Sequence, residues 1–291
     1  MKYRLVDQLQ GRYSIVKVCR TLGVSRSGYY AWRKRVPSAR QQSDEALKRE
    51  IAVIFERSYQ TYGSPRVHAA LQKAGYRCGR RRVARLMREM GLSAQQGRRR
   101  VITTRVNPAD PSGPNRLARH FTATQPNEKW LVDITYIATD EGWLYLAGVL
   151  DLFSRKLVGW AMAGHMQDEL TQDALRMALF TRRPAAGLLH HADRGSQYTS
   201  ADYRQLCSQH GIDLSFSDVG ACYDNAPTES FWGTLKTEWV YRQHFRTRAE
   251  AKLRLFEYIE GFYNRQRLHS ALGYRSPEEF ERLFHTTTIV H

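Results

Sequence analysis

Cysteine is scarce: four residues in 291, Cys19, Cys78, Cys207 and Cys222, with no CxxC pair and no Cys/His finger spacing. That excludes a disulfide-stapled secreted scaffold and a zinc finger, and leaves reduced thiols. Long apolar runs are missing too. The stretch WLYLAGVLDLF over 143–153 is far shorter than the roughly 20 residues that span a bilayer, and it carries Asp151. The first residues, MKYRLVDQLQ, lack the apolar core of a signal peptide. A cytoplasmic protein with no membrane partner is therefore expected. A sustained heptad pattern is absent as well. Acidic residues are thin in one part of the chain: residues 1–121 hold 27 Lys and Arg against 7 Asp and Glu, whereas 122–291 hold 18 against 21. Solubility requires no such segregation, so the basic part reads as a grip on nucleic acid.

With 42% apolar residues the chain can build an ordinary core, and its length suits about two domains. Residues 1–40 read as a helix-turn-helix segment. Ile15, Val18 and Leu22 line a short helix, Gly23 makes the turn, and Ser25 caps a second helix bearing Tyr29, Tyr30 and Trp32. Residues 45–93 read as a helical DNA-binding domain. Its first helix spans about 45–58, Pro65 opens the second, and the third has Val83, Leu86, Met87 and Met90 inside and Arg80, Arg81, Arg82, Arg85 and Arg88 outside. An arginine-lined helix of this kind suits a groove flanked by phosphates. Residues 94–120, with Arg98, Arg99 and Arg100 among Pro108, Pro111 and Pro114, read as a basic flexible linker that lies along DNA.

From 121 to 286 the pattern alternates. Strands are expected at 129–139, 143–153 and 156–163, a helix at 167–182, a strand at 187–192, a helix at 200–210 and a strand at 212–217. Three antiparallel strands followed by strands interleaved with helices specify a mixed five-stranded α/β sheet with flanking helices. The next segment, YDNAPTESFWGTLKTE over 223–238, sets Glu229 in the first turn of a helix, with Asn225 as N-cap and Pro227 in the first turn. At 3.6 residues per turn, Glu229, Trp232, Gly233, Lys236 and Val240 share a stripe. A last helix starts at Thr247, which forms a capping box with Glu250. Taken alone, Glu229 reads as a solvated acid. Its company alters that: Asp133 lies within KWLVDITYIAT and Asp193 within LLHHADRGSQY, each strand-like.

The ordered motifs WLVDITY, HADRGSQY and YDNAPTESFWGTLKTE, with thirty-five residues between Asp193 and Glu229 and Lys236 seven beyond, resemble the D,D,E catalytic core of the OrfB-type insertion-sequence transposases, relatives of retroviral integrases. The tail YNRQRLHSALGYRSPEEF is similar to the family's C-terminal segment, and residues 45–93 resemble its helix-turn-helix region. The resemblance implies a ribonuclease-H-like fold in which the first and fourth strands are neighbours, so that the three acids converge at one rim. It implies Asp133, Asp193 and Glu229 as catalytic metal ligands for Mg²⁺, with Mn²⁺ as substitute and two ions in all, Asp133 being shared. The implied reaction frees a 3′-hydroxyl at the element's end and joins it to another DNA strand by in-line phosphoryl transfer. Lys236 is expected on a phosphate near the element's end. The partners implied are double-stranded DNA of the terminal repeats and the target, further copies of the chain on DNA, and an upstream-frame product or fusion. The zinc-binding His/Cys domain of retroviral integrases is missing. Two other readings stay open: a DNA-binding regulator with an inactive integrase-like domain, and a metal-dependent nuclease that does not join strands. Beside Asp193, His190 and His191 read as structural or phosphate-contacting rather than metal-binding, Asp151 as a turn residue, Asp224 and Asn225 as helix-start residues, and Trp130, Trp143 and Trp160 as core.

Overall fold

The computed structural model describes residues 1–94, 113–218 and 222–289. The chain divides into two compact units, Met1–Ala52 and Val53–His291. In the first, α1 (Lys2–Leu9), α2 (Ile15–Thr21) and α3 (Arg26–Arg33) close around Val6, Val18, Cys19 and Tyr29. The helix-turn-helix is where the sequence puts it: Gly23 turns at φ 64° and the Ser25 hydroxyl accepts the Gly28 amide at 3.0 Å. Helix α1 is additional. It supplies Val6 to the core, and its Asp7 accepts the Tyr29 hydroxyl at 2.8 Å. The following helix, α4 (Ala39–Arg57), starts six residues before the expected Glu45. The cause is a capping box without apolar signal, in which the Ser38 amide donates to Gln41 Oε1 at 2.8 Å and the Gln41 amide to Ser38 Oγ at 3.3 Å.

The second unit contains α5 (Ser64–Lys73), α6 (Arg80–Glu89), β1 (Lys129–Thr139), β2 (Gly142–Asp151), β3 (Leu157–Ala163), α7 (Asp168–Arg182), β4 (Leu189–Ala192), α8 (Ser196–Thr199), α9 (Ala201–Gln209), β5 (Asp213–Phe216), α10 (Ala226–Glu238), α11 (Arg248–Phe256) and α12 (Pro277–Ile289). Alternation of apolar residues along β1 and β2 puts Trp130, Val132, Ala147 and Val149 into one buried cluster with Leu170, Ala174, Leu175 and Ala178 of α7. The sheet order is β3-β2-β1-β4-β5, with β1–β2 and β2–β3 antiparallel and β1–β4 and β4–β5 parallel. This is the ribonuclease-H-like arrangement, and it makes β1 and β4 neighbours. Helix α11 is capped by Thr247, whose hydroxyl accepts the Glu250 amide at 3.0 Å, and it widens into a π-helical stretch at Glu257–Tyr263.

Helices α5 and α6 belong to the same compact unit as the sheet. The Tyr62 hydroxyl accepts the Leu268 amide at 2.7 Å and Arg66 Nε donates to the Leu268 carbonyl at 2.9 Å. The described end of the expected linker, from 113 to 120, is fastened as well. Leu117 is buried with Leu131 and Leu152, and the Arg116 and Leu117 amides both donate to Ser215 Oγ. One apolar side chain among polar ones is enough to pin it. Arg98, Arg99 and Arg100 lie outside the described residues.

Candidate active site

The parallel register of β1 and β4 pairs Lys129 with Leu189, Trp130 with His190 and Leu131 with His191. Continued two residues past the last pair, one beyond the end of β4, the same offset brings Asp193 level with Asp133. Helix α10 is fixed over this point by two contacts. Asn225 Nδ2 donates to the Val132 carbonyl at 3.1 Å, and Trp232 Nε1 donates to Asp133 Oδ2 at 3.1 Å. The Trp232 ring, 2% exposed, lies against Gly148, the β2 partner of Asp133. A Cβ at Gly148 would come within 2.8 Å of that ring, so only glycine admits it. Glu229 precedes Trp232 by three residues and so stands on the same side of α10, one turn toward its start.

The Asp133 carboxyl carries the mark of both other acids. The Asp133 carboxyl is pushed up to about 7, first by burial and then by the Asp193 charge, with Glu229 adding to the rise; the Ile134 amide and the Trp232 indole pull the other way. Burial also raises Asp193, against the Gly195 amide that donates to its Oδ1 at 3.0 Å. Tyr198, buried, has a hydroxyl with no hydrogen-bond partner among the described residues, and it feels both Asp133 and Asp193. Yet among the described residues no three His, Cys, Asp or Glu side chains stand close enough to grip an ion as they are. The acids are neighbours in charge rather than a closed ligand shell.

The remaining sequence candidates separate clearly. Lys236 Nζ stands 4.7 Å from the centroid of Tyr136, a half-exposed ring packed edge-on against Trp143. The stripe drawn from Glu229 to Val240 stops short, because α10 ends at Glu238 and Val240 belongs to a 3₁₀ turn. Trp143 is not core: it is 50% exposed at the start of β2, whereas Trp130 is fully buried and Trp160, part-buried, donates to Glu260 at 2.8 Å. Asn225 precedes α10 but does not cap it through its side chain, which is spent on Val132 and on accepting the Thr228 hydroxyl. Asp224 is buried and accepts Arg119 Nε at 2.7 Å, so it ties the 113–120 segment down. His190 and His191 are structural. Their rings reach Tyr203 Oη at 2.7 Å and Ser215 Oγ at 2.9 Å, and burial pushes them down to about 3 and about 4. Asp151 turns the chain by accepting the Phe153 amide, and it also pairs with Arg182 at 3.5 Å. On α6, Arg80, Arg81 and Arg88 are exposed and Arg82 and Arg85 partly so, over buried Val83, Leu86 and Met87. Gly148, Asn225 and Tyr198 escaped notice as parts of the site because their partners lie far away in sequence. The spacing of Glu229 and Trp232 was the one signal available.

Models of known families match in four places: "Integrase core domain" at residues 123–222 and again at 210–277, "HTH-like domain" at 42–100 and "Transposase" at 1–54. The chain is 50% identical to the insertion element IS600 uncharacterized 31 kDa protein of Shigella sonnei, over 92% of this chain and 98% of that one. It is 43% identical to transposase InsF for insertion sequence IS3A of Escherichia coli strain K12, over 97% and 98%. Among solved structures, the HTLV-2 integrase catalytic core domain in complex with magnesium matches at 16% identity and a TM-score of 0.41, over 54% of this chain and 97% of that one. No helix among the described residues is long and apolar enough to cross a membrane. With its five-stranded core, its helix-turn-helix units and relatives aligned nearly end to end, the chain belongs to the insertion-sequence transposases that carry an integrase core domain.

Proposed function

We propose that Asp133, Asp193 and Glu229 are the catalytic acids of this transposase. They would hold divalent cations, Mg²⁺ by preference with Mn²⁺ as substitute, two in number. The observation that carries this is the crowding of Asp133, half-buried and pushed up to about 7 by desolvation, by Asp193 and by Glu229 together. A carboxylate so placed gains its charge readily only beside a cation, and an all-oxygen donor set suits hard ions. Bound there, the ions would supply Lewis acidity for in-line displacement at a phosphodiester, at both the attacking and the leaving oxygen.

The chain's own residues do the positioning. Trp232 holds Asp133 Oδ2 and the Ile134 amide holds Oδ1, which together fix that carboxylate, while the Gly195 amide holds Asp193 Oδ1. Glu229 completes the set from α10. In the first step water attacks the phosphodiester at the element's end, leaving a 5′-phosphate and releasing the 3′-hydroxyl; in the second that hydroxyl attacks a phosphodiester of another strand, whose own 3′-oxygen leaves, both at one site and with no protein side chain as nucleophile. Lys236, steadied over Tyr136, meets a phosphate of the end as a point charge. Arg80, Arg81, Arg82, Arg85 and Arg88, with Arg98, Arg99 and Arg100, grip duplex DNA. The protein works in the cytoplasm on the nucleoid, as several copies on DNA, alone or joined to an upstream-frame product.

The test is cleavage of labelled element-end DNA with Mg²⁺. Asp133→Asn, Asp193→Asn and Glu229→Gln should each lose about a thousandfold or more, roughly 4 kcal/mol of barrier, while still folding and binding DNA. Activity within tenfold of wild type in any one of them would remove that residue from the site.

A further inference from the structure

A cavity of about 650 Å³ opens along α10 beside the acids. Glu229 stands at one end of it; Gly233, Thr234 and Thr237 form its floor, and Arg66 and Tyr274 stand in its walls. Its volume lies within the roughly 300–1,000 Å³ of small-ligand sites, large enough for one nucleotide and far too small for a duplex. Its charges are already balanced. Arg267 donates to both oxygens of Glu238 at 2.6 Å, and Arg66 stands 3.6 Å from the same carboxylate. A phosphate would therefore gain little here, whereas a neutral guest with hydrogen-bonding edges meets the hydroxyls of Thr234, Thr237 and Tyr274. The Tyr274 backbone, at the cavity's lining, holds φ 58°, a costly conformation for a bulky residue. Gly233 leaves the floor open: a Cβ there would meet nothing within 4 Å.

We propose that this cavity receives a single nucleobase, unstacked and swung out of the duplex beside the phosphodiester that is cut. The inference rests on the reading that Glu229 belongs to the cutting site. Acids recessed between β1, the end of β4 and α10 reach a duplex backbone more easily if the duplex opens locally, and a base removed from its stack needs a pocket with hydrogen-bonding edges. Tyr274 offers a stacking face and the threonines offer partners for a base edge.

The experiment places 2-aminopurine in turn at each position flanking the scissile phosphate, with the full chain bound in a chelating buffer so that nothing is cut. One position should brighten roughly threefold or more on binding, as expected for an unstacked base. Gly233→Leu fills the cavity without a clash at Cβ, so it should melt at or above the wild-type temperature. It should abolish the brightening and cut about tenfold or more slowly, and an abasic nucleotide at the bright position should restore its cutting. No bright position with wild type, or brightening that survives in Gly233→Leu, overturns the proposal. Glu229→Gln separates this from the assignment of the acids, since it should lose cutting yet keep the brightening. Normal cutting by Glu229→Gln would defeat the cutting-site reading, and with it the premise on which the pocket's role depends.

Discussion

Helix α10 carries a glutamate near each end, and their surroundings are opposite. Glu238 is clasped by Arg267 through two bonds of 2.6 Å, accepts the Tyr258 hydroxyl at 3.1 Å and lies 3.6 Å from Arg66. Glu229 adds its charge to that of Asp193 in raising Asp133. A buried charge that only holds a fold together is paired. A carboxyl like Asp133, whose charge is discouraged by burial and by neighbouring acids, is kept at a cost to stability, and the cost makes sense where a cation is to be held.

The largest effect on stability should come from breaking the paired end. Arg267→Ala leaves Glu238 buried beside a lost partner and should cost about 3–5 kcal/mol, whereas Glu229→Gln should change stability by no more than about 0.5 kcal/mol. Urea unfolding of both variants decides it, and equal losses would erase the contrast between the two ends.

The next effect is in pH. Because the folded value of Asp133, about 7, lies above the ordinary carboxyl value near 3.9, the folded protein keeps a proton that the unfolded chain releases. That contribution makes stability fall as pH rises from about 4 to about 7 and stay level above. Glu281 runs the other way. Burial pushes its carboxyl up, but two bonds of 2.8 Å from Arg182, the Ser154 hydroxyl and Lys156 pull it below the usual range. Its contribution is full above the unfolded value near 4.3 and is lost as pH falls through the lowered folded one. Metal-free Asp133→Asn should therefore melt about 2–4 °C higher than wild type at pH 8, and the gain should vanish near pH 4. A variant no more stable than wild type at pH 8 would mean that the acids are not crowded.

Most of the sheet was legible because period-two alternation, glycine turns and strand lengths all agreed over 129–163 and 187–217. The expectation for the three acids came from motif order. What escaped were features set by distant partners or by polar residues. Helix α1 has little apolar periodicity and exists by packing Val6 against α2 and α3. Trp143 looked like core but caps a strand end beside Tyr136. The clasp between Glu238 and Arg267 joins residues far apart in sequence with no pattern to announce them.

The smallest effect belongs to Lys236. Seven residues beyond Glu229, it lies about 10 Å farther along the axis, too far to share an ion with it. Lys236→Ala should cut about tenfold less well at limiting DNA and keep its metal affinity, while Lys236→Arg should keep most activity. Tyr136→Leu, which removes only the ring beneath the ammonium, should cost less, about 0.5–1 kcal/mol. Cleavage across a DNA titration checks all three, and normal cutting by Lys236→Ala at limiting DNA would make it an ordinary surface lysine.

The most direct test of the contrast between the ends of α10 is a titration with Mn²⁺ followed by electron paramagnetic resonance, on wild type, Asp133→Asn and Glu238→Gln. Wild type and Glu238→Gln, where each folds, should capture the ion, and Asp133→Asn should leave it free in solution. Equal capture by Asp133→Asn and wild type would contradict the assignment of the crowded acids as the metal site.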